Sequence, residues 1–195
     1  MNIAVFISGG GTTLNAIAEA IESGRLKSRI VLVITTKEEA GGIGKYVKPR
    51  NIPYEVINRK NFASDEEFGQ TLVDTCKKYG VDFICLAGFL QRIPTNVTAE
   101  FKGRIINSHP GDTKRYGGEG MYGKFVHQAV LAAGEKETMS TIHWVDEIYD
   151  SGEVISQIKM PITADIKTAE ELAIKLLPIE WENYVATLEK IEKGL

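Results

Sequence analysis

The chain of 195 residues is short of the features that mark several protein classes. It has only two cysteines, Cys76 and Cys85, each in an apolar segment and neither in a C-x-x-C pair. That excludes a disulfide-rich scaffold and fits buried free thiols in a reducing compartment. It has three histidines, His109, His127 and His143, with no H-x-x-x-H or H-E-x-x-H spacing, so no metal site is expected. A G-x-S-x-G elbow for a serine nucleophile is also missing. No window approaches the roughly 18 apolar residues of a membrane span. Lys and Arg (23) fall below Asp and Glu (26), a net charge of -3, so there is no basic field to draw nucleic acid or a membrane surface. The opening MNIAVFISGGG lacks the basic start and the apolar length of a signal peptide, and a cytoplasmic protein is expected.

What is present is an alternating pattern. Apolar β-rich runs at 3–7, 30–34, 54–57, 83–87 and 104–107 are separated by helix-like spacing. Leu14, Ile17, Ala18 and Ile21 form one apolar stripe, and Phe68, Leu72, Val73 and Cys76 another. Residues 39–50 and 97–101 also read as helical. This order predicts an α/β fold, a Rossmann-like, mostly parallel twisted sheet with helices on both faces. The remainder differs. A helix over 125–131 precedes two strands, 139–145 and 154–162, whose short acidic connection implies an antiparallel pair. A last helix is expected from about Thr168 towards Ile191, with Pro178 as a candidate kink. With no linker or repeat, a single domain over 1–195 is expected.

Two places carry chemistry. SGGGTTLNAI, residues 8–17, joins the first strand to the first helix. Three successive glycines permit close backbone approach to a ligand, and the helix start favours an anion. Thr12 or Thr13 reads as its N-cap. The dinucleotide fingerprint is excluded because Leu14 stands where its third glycine belongs, and no Gly-Lys-Ser/Thr of a Walker loop follows. The second place is RIINSHP, residues 104–110, an apolar strand ending in polar residues. Asn107 and His109 lie two apart, so they share a side, at the carboxyl end of a parallel strand where open α/β sheets bind ligands. Both can donate to one carbonyl oxygen, an arrangement suited to charge on a tetrahedral intermediate. Asp150, in the turn of DEIYDSGEV, supplies a carboxylate able to raise an imidazole pKa and receive an amine proton. His127 in a helix and His143 in an apolar strand read as packing or hydrogen-bonded core histidines.

Taken together, NIAVFISGGGTTLNAI, LAGFL (86–90), GRIINSHP (103–110), GMYG with VHQAV (120–130) and IHWVDEIYDSGEVI (142–155) resemble the 10-formyltetrahydrofolate-dependent formyltransferases, over nearly the whole chain. The resemblance implies transfer of a formyl group from 10-formyltetrahydrofolate to a small primary amine, with no metal. Glycinamide ribonucleotide, in purine synthesis, is the first acceptor it implies. An amino sugar nucleotide is the alternative, and a non-catalytic folate-binding module a weaker one. Asn107, His109 and Asp150 match the family's catalytic trio. Gly10, Gly11, Thr12, Thr13 and Glu180 match contacts to the substrate phosphate and ribose. Leu90, Gln91, Arg92 and Ile93, with Asn107 and Asp150, match the folate site. Residues 1–103 then form a phosphate-binding half, and 104–195 a catalytic and folate half. A monomer or homodimer working on small molecules is expected. The chain departs from the family at Thr13 and Gln91, where Asn and Arg are usual, at Asp65, which replaces an Arg, and in Gly111–Arg115, where an aliphatic-proline loop is usual. Lys114 and Arg115 are candidate replacements for the lost cation.

Overall fold

The computed structural model describes residues 1–194. The apolar runs build seven strands: β1 (Asn2–Ile7), β2 (Arg29–Thr35), β3 (Tyr54–Val56), β4 (Phe83–Leu86), β5 (Ile105–His109), β6 (Glu137–Trp144) and β7 (Val154–Pro161). They form one sheet in the order β3-β2-β1-β4-β5-β6-β7. The first five run parallel; β6 lies antiparallel to β5, and β7 antiparallel to β6. The helices are α1 (Thr12–Glu22), α2 (Asp65–Lys78), α3 (Thr95–Glu100), α4 (Thr113–Tyr116), α5 (Lys124–Ala132) and α6 (Ala169–Glu192). No described helix is long and apolar enough to cross a membrane.

Strand alternation divides the core between the two faces of the sheet. Ile3, Val5 and Ile7 of β1 pack towards Leu14 and Ile17 of α1 and towards Tyr184 and Leu188 of α6. Ala4 and Phe6 face the other way, towards Phe68, Leu72 and Cys76 of α2 and Val97 of α3. A third cluster joins Val126 and Val130 of α5 to Leu172 and Leu176 of α6. Each such buried aliphatic contributes about 1.5–3 kcal/mol relative to exposure. Burial pushes both thiols up to about 12, so Cys76 and Cys85 are inert free thiols. Tyr184 crosses the core, and its hydroxyl donates to the Leu86 carbonyl at 3.1 Å.

The sheet reverses direction of growth between β1 and β4. The segments leaving these neighbours diverge, which opens a crevice at their carboxyl ends. Two local readings need correction. Residues 39–50 are not one regular helix: Ile43–Val47 form a π-helical turn and Lys48–Arg50 a 3₁₀ turn. A glycine-to-glycine contact lies at the start of this stretch. The Gly42 amide donates to the Gly9 carbonyl at 3.1 Å, and a Cβ on Gly42 would stand 2.9 Å from the Gly11 Cα. β5 also extends to His109, because antiparallel β6 pairs His109 with Thr141. The last helix, expected from about Thr168 towards Ile191, is α6, which continues through Pro178.

Candidate active site

The glycine turn presents backbone rather than side chains. Gly11 is the N-cap of α1 and adopts φ 68°, a left-handed conformation that favours glycine. The threonines therefore do not cap: Thr12 already lies within the first turn, and no side chain caps the helix. Its first turn carries no acidic residue. The free N–H groups and the positive end of the dipole are left for a ligand.

At the far side of the crevice, polar side chains are tied to one another. Strand register sets Asn107 directly opposite His143. Their side chains meet, with Asn107 Nδ2 3.2 Å from His143 Nε2. His143 Nδ1 lies 2.8 Å from the Trp144 carbonyl, which fixes its proton there. In the neutral ring, Nε2 then accepts from Asn107. Asp150 bridges the two histidines: Oδ1 is 3.4 Å from His143 Nε2 and Oδ2 is 3.6 Å from His109 Nδ1. Oδ2 also accepts the Gly118 amide at 3.0 Å.

His109 is only 3% exposed. Its Nε2 donates to the Tyr116 carbonyl at 2.9 Å, which leaves Nδ1 facing the Asp150 carboxylate. Burial pushes the His109 pKa down, and the Asp150 charge opposes that without overcoming it. For Asp150, burial acts upward, but protonated His143 and His109, together with the Gly118 amide, hold the carboxyl below its usual range. Asp150 has φ 53°, one of two non-glycine residues in this region among those described. Such strain, of about 1–3 kcal/mol, persists where surrounding structure imposes it, often at functional sites. Gly117 permits the approach: a Cβ there would lie 2.2 Å from the Thr113 carbonyl oxygen and 3.0 Å from Asp150 Cβ.

Both regions border one cleft of about 730 Å³. Gly10, Gly11, Thr12 and Thr13 line one end, and Asn107, His109 and Asp150 another. Glu180 projects from α6 into the same cleft, where burial raises its pKa to about 7. Leu90, Gln91, Arg92 and Ile93 also line it. Gln91, where the resemblance leads one to expect Arg, pins a loop: its amide donates to Asn58 at 3.0 Å and accepts the Arg59 backbone N–H at 3.2 Å. Arg92 lies 5.7 Å from the Tyr149 ring and donates to the Glu147 carbonyl at 3.3 Å. Asp65 is paired with Arg59. Of the two candidate cations, Arg115 pairs with Glu135 and does not border the cleft, whereas Lys114 borders a smaller pocket that it shares with Tyr149 and Asp150. His143 and His127 are both buried, as expected of core histidines, and both also border the cleft. Only the pairing of Asn107 with His143 reveals the first, and no periodicity in the sequence contains that register.

A family model described as formyl transferase matches residues 1–188. The chain belongs to the formyl transferase family. It is 40% identical over 192 residues to the chloroplastic phosphoribosylglycinamide formyltransferase of Vigna unguiculata, a match covering 97% of this chain and 60% of that one. It therefore spans about three fifths of the plant relative's length. Against the phosphoribosylglycinamide formyltransferase of Haemophilus influenzae, identity is 33% over 192 residues, covering 98% of this chain and 87% of the other. The crystal structure of phosphoribosylglycinamide formyltransferase from Bacillus halodurans superposes with a TM-score of 0.91 at 31% identity, covering 98% of this chain and 95% of that one. The mostly parallel sheet with antiparallel strands at its carboxyl-terminal side is thus the formyltransferase architecture.

Proposed function

We propose that this chain transfers the formyl group of 10-formyltetrahydrofolate to the primary amine of glycinamide ribonucleotide. The carrying observation is a strained Asp150 set between His109 and His143, across one cleft from an uncapped glycine turn. The names of similar proteins support the same reading. In this assignment, residues 1–103 supply the phosphate turn and, through Leu90–Ile93, part of the folate wall, and 104–195 supply the catalytic groups, Glu180 and the rest of that wall.

The donor groups fit the two substrates. Free α1 N–H groups and the Gly10–Thr13 backbone receive the phosphate, and Glu180 receives a ribose hydroxyl. Leu90, Ile93 and the exposed Ile148 and Tyr149 give the folate ring system apolar surface. Asn107 has two amide hydrogens. One is given to His143 Nε2, and the other is free to donate to the formyl oxygen as negative charge develops there. His109 does not donate directly in this arrangement, because its Nε2–H is given to Tyr116. When His109 takes up a second proton, its Nδ1–H faces the Asp150 carboxylate and balances that charge. Asp150 accepts the proton released when the amine nitrogen bonds to the formyl carbon. It returns that proton to N10 of the folate as the N10–carbon bond breaks, so charge and atoms balance.

The test is a steady-state assay with 10-formyltetrahydrofolate and three acceptors: glycinamide ribonucleotide, an amino sugar nucleotide and water. Turnover with the first is expected. Folate-dependent turnover of another amine alone, or none, contradicts the proposal.

A further inference from the structure

Beyond the groups already given a task, His127 is the one buried imidazole on the cleft wall whose side chain lacks a hydrogen bond among the described residues. It lies on α5, is 4% exposed, and its Nδ1 is sealed from solvent without a partner. A sealed N–H without an acceptor is rarer and costlier than a sealed lone pair. The lone pair therefore belongs on Nδ1 and the proton on Nε2, the nitrogen left in contact with the cleft. Burial, and secondarily the His109 charge, lower the ring's pKa to about 4, so it stays neutral at working pH.

Position makes this donor useful. The neighbouring Val126 packs where Gly111 lies beneath His109: a Cβ on Gly111 would meet Val126 Cγ1 at 2.8 Å and His109 Nε2 at 3.7 Å. The start of α5 and the end of β5 thus form one wall of the cleft. His109 spends its Nε2–H on Tyr116, so this wall otherwise lacks an imidazole N–H facing the ligand. We propose that His127 is a further substrate-contacting residue, whose neutral imidazole donates Nε2–H to an oxygen of a bound substrate. This rests on the function proposed above.

The experiment compares His127→Leu and His127→Gln with the unaltered chain. Leu removes a polar atom that has no partner in the folded protein. Its melting temperature is therefore expected to be unchanged or higher, while kcat/KM falls about 10- to 100-fold. Gln keeps an N–H donor and is expected to recover part of that loss. A kcat/KM within about twofold for His127→Leu overturns the proposal. So does a loss accompanied by a lower melting temperature and no recovery by Gln, which marks a structural histidine. A second readout uses the unaltered chain with histidine-selective ¹⁵N labelling and a labelled Gly11 amide, titrated separately with each substrate. The His127 Nε2 resonance is expected to move with at least one. If Gly11 or His109 moves and His127 does not, the inference fails alone. If neither substrate perturbs any of them, the function proposed above fails, and this inference with it.

Discussion

The two ends of the cleft are built on opposite plans. At the strand end, side chains are held by protein groups: Asp150 accepts the Gly118 amide and lies between both histidines, Asn107 donates to His143, and His109 donates to a carbonyl. At the glycine turn nothing is satisfied by side chains. Gly11 caps α1 without a side-chain hydrogen bond, and Glu180 faces the cleft with no ion-pair partner among the described residues. The contrast separates two tasks. Groups that act on a transition state gain from being fixed beforehand, whereas groups that receive a substrate must hold unsatisfied capacity for it.

Substitutions at the two ends are therefore expected to differ in kind. The largest effect belongs to the strand end. His109→Ala and Asp150→Asn are each expected to lower kcat by about 10²–10⁴-fold with little change in KM, measured by steady-state kinetics. The pH profile of kcat/KM in the unaltered chain is expected to reflect His109 and Asp150 as one coupled pair, with a profile displaced in His143→Phe. His143 acts through Asp150, so its replacement is expected to cost less, about 10–100-fold in kcat. Should His143→Phe change only KM, the distinction between the ends would be broken.

At the glycine turn the expected effect is on binding. Gly11→Ala places a Cβ 2.8 Å from the Gly42 Cα at φ 68°. The left-handed conformation alone costs about 1–2 kcal/mol. A lower melting temperature and a raised KM for glycinamide ribonucleotide are expected, with kcat changed less than in Asp150→Asn.

The smallest effect concerns Glu180, whose folded pKa, about 7, stands above the ordinary 4.5. The folded state then holds a proton that the unfolded state has released. Its contribution to stability is complete below about 4.5, declines as pH rises, and is lost by about pH 7. Denaturant titrations are expected to show this decline in the unaltered chain and a flatter dependence in Glu180→Gln. Equal slopes in both would remove Glu180 from the account.

Much of this contrast was legible in the sequence, and what was not has a common cause. Local signals gave the succession of strands along the chain, the antiparallel pair and the polar end of β5, because alternation and turn residues act over a few positions. The resemblance named twelve residues, and every one borders the cleft. What escaped depends on contacts between distant segments. His143 stands in an apolar strand and reads as core; only the pairing of β6 with β5 sets it against Asn107. The Gly42–Gly11 contact at the start of the π-helical turn Ile43–Val47 joins segments far apart in the chain, which no local pattern marks. Tyr116 holds His109 by a backbone carbonyl, a group every residue carries and no motif can mark.

The most direct measurement is the equilibrium affinity of Asp150→Asn for glycinamide ribonucleotide, by calorimetry, on a preparation assayed in parallel for turnover. The account predicts a Kd within about threefold of the unaltered chain while turnover falls at least about 100-fold. Loss of binding in proportion to loss of turnover would contradict it, since the two ends would then not divide chemistry from recognition.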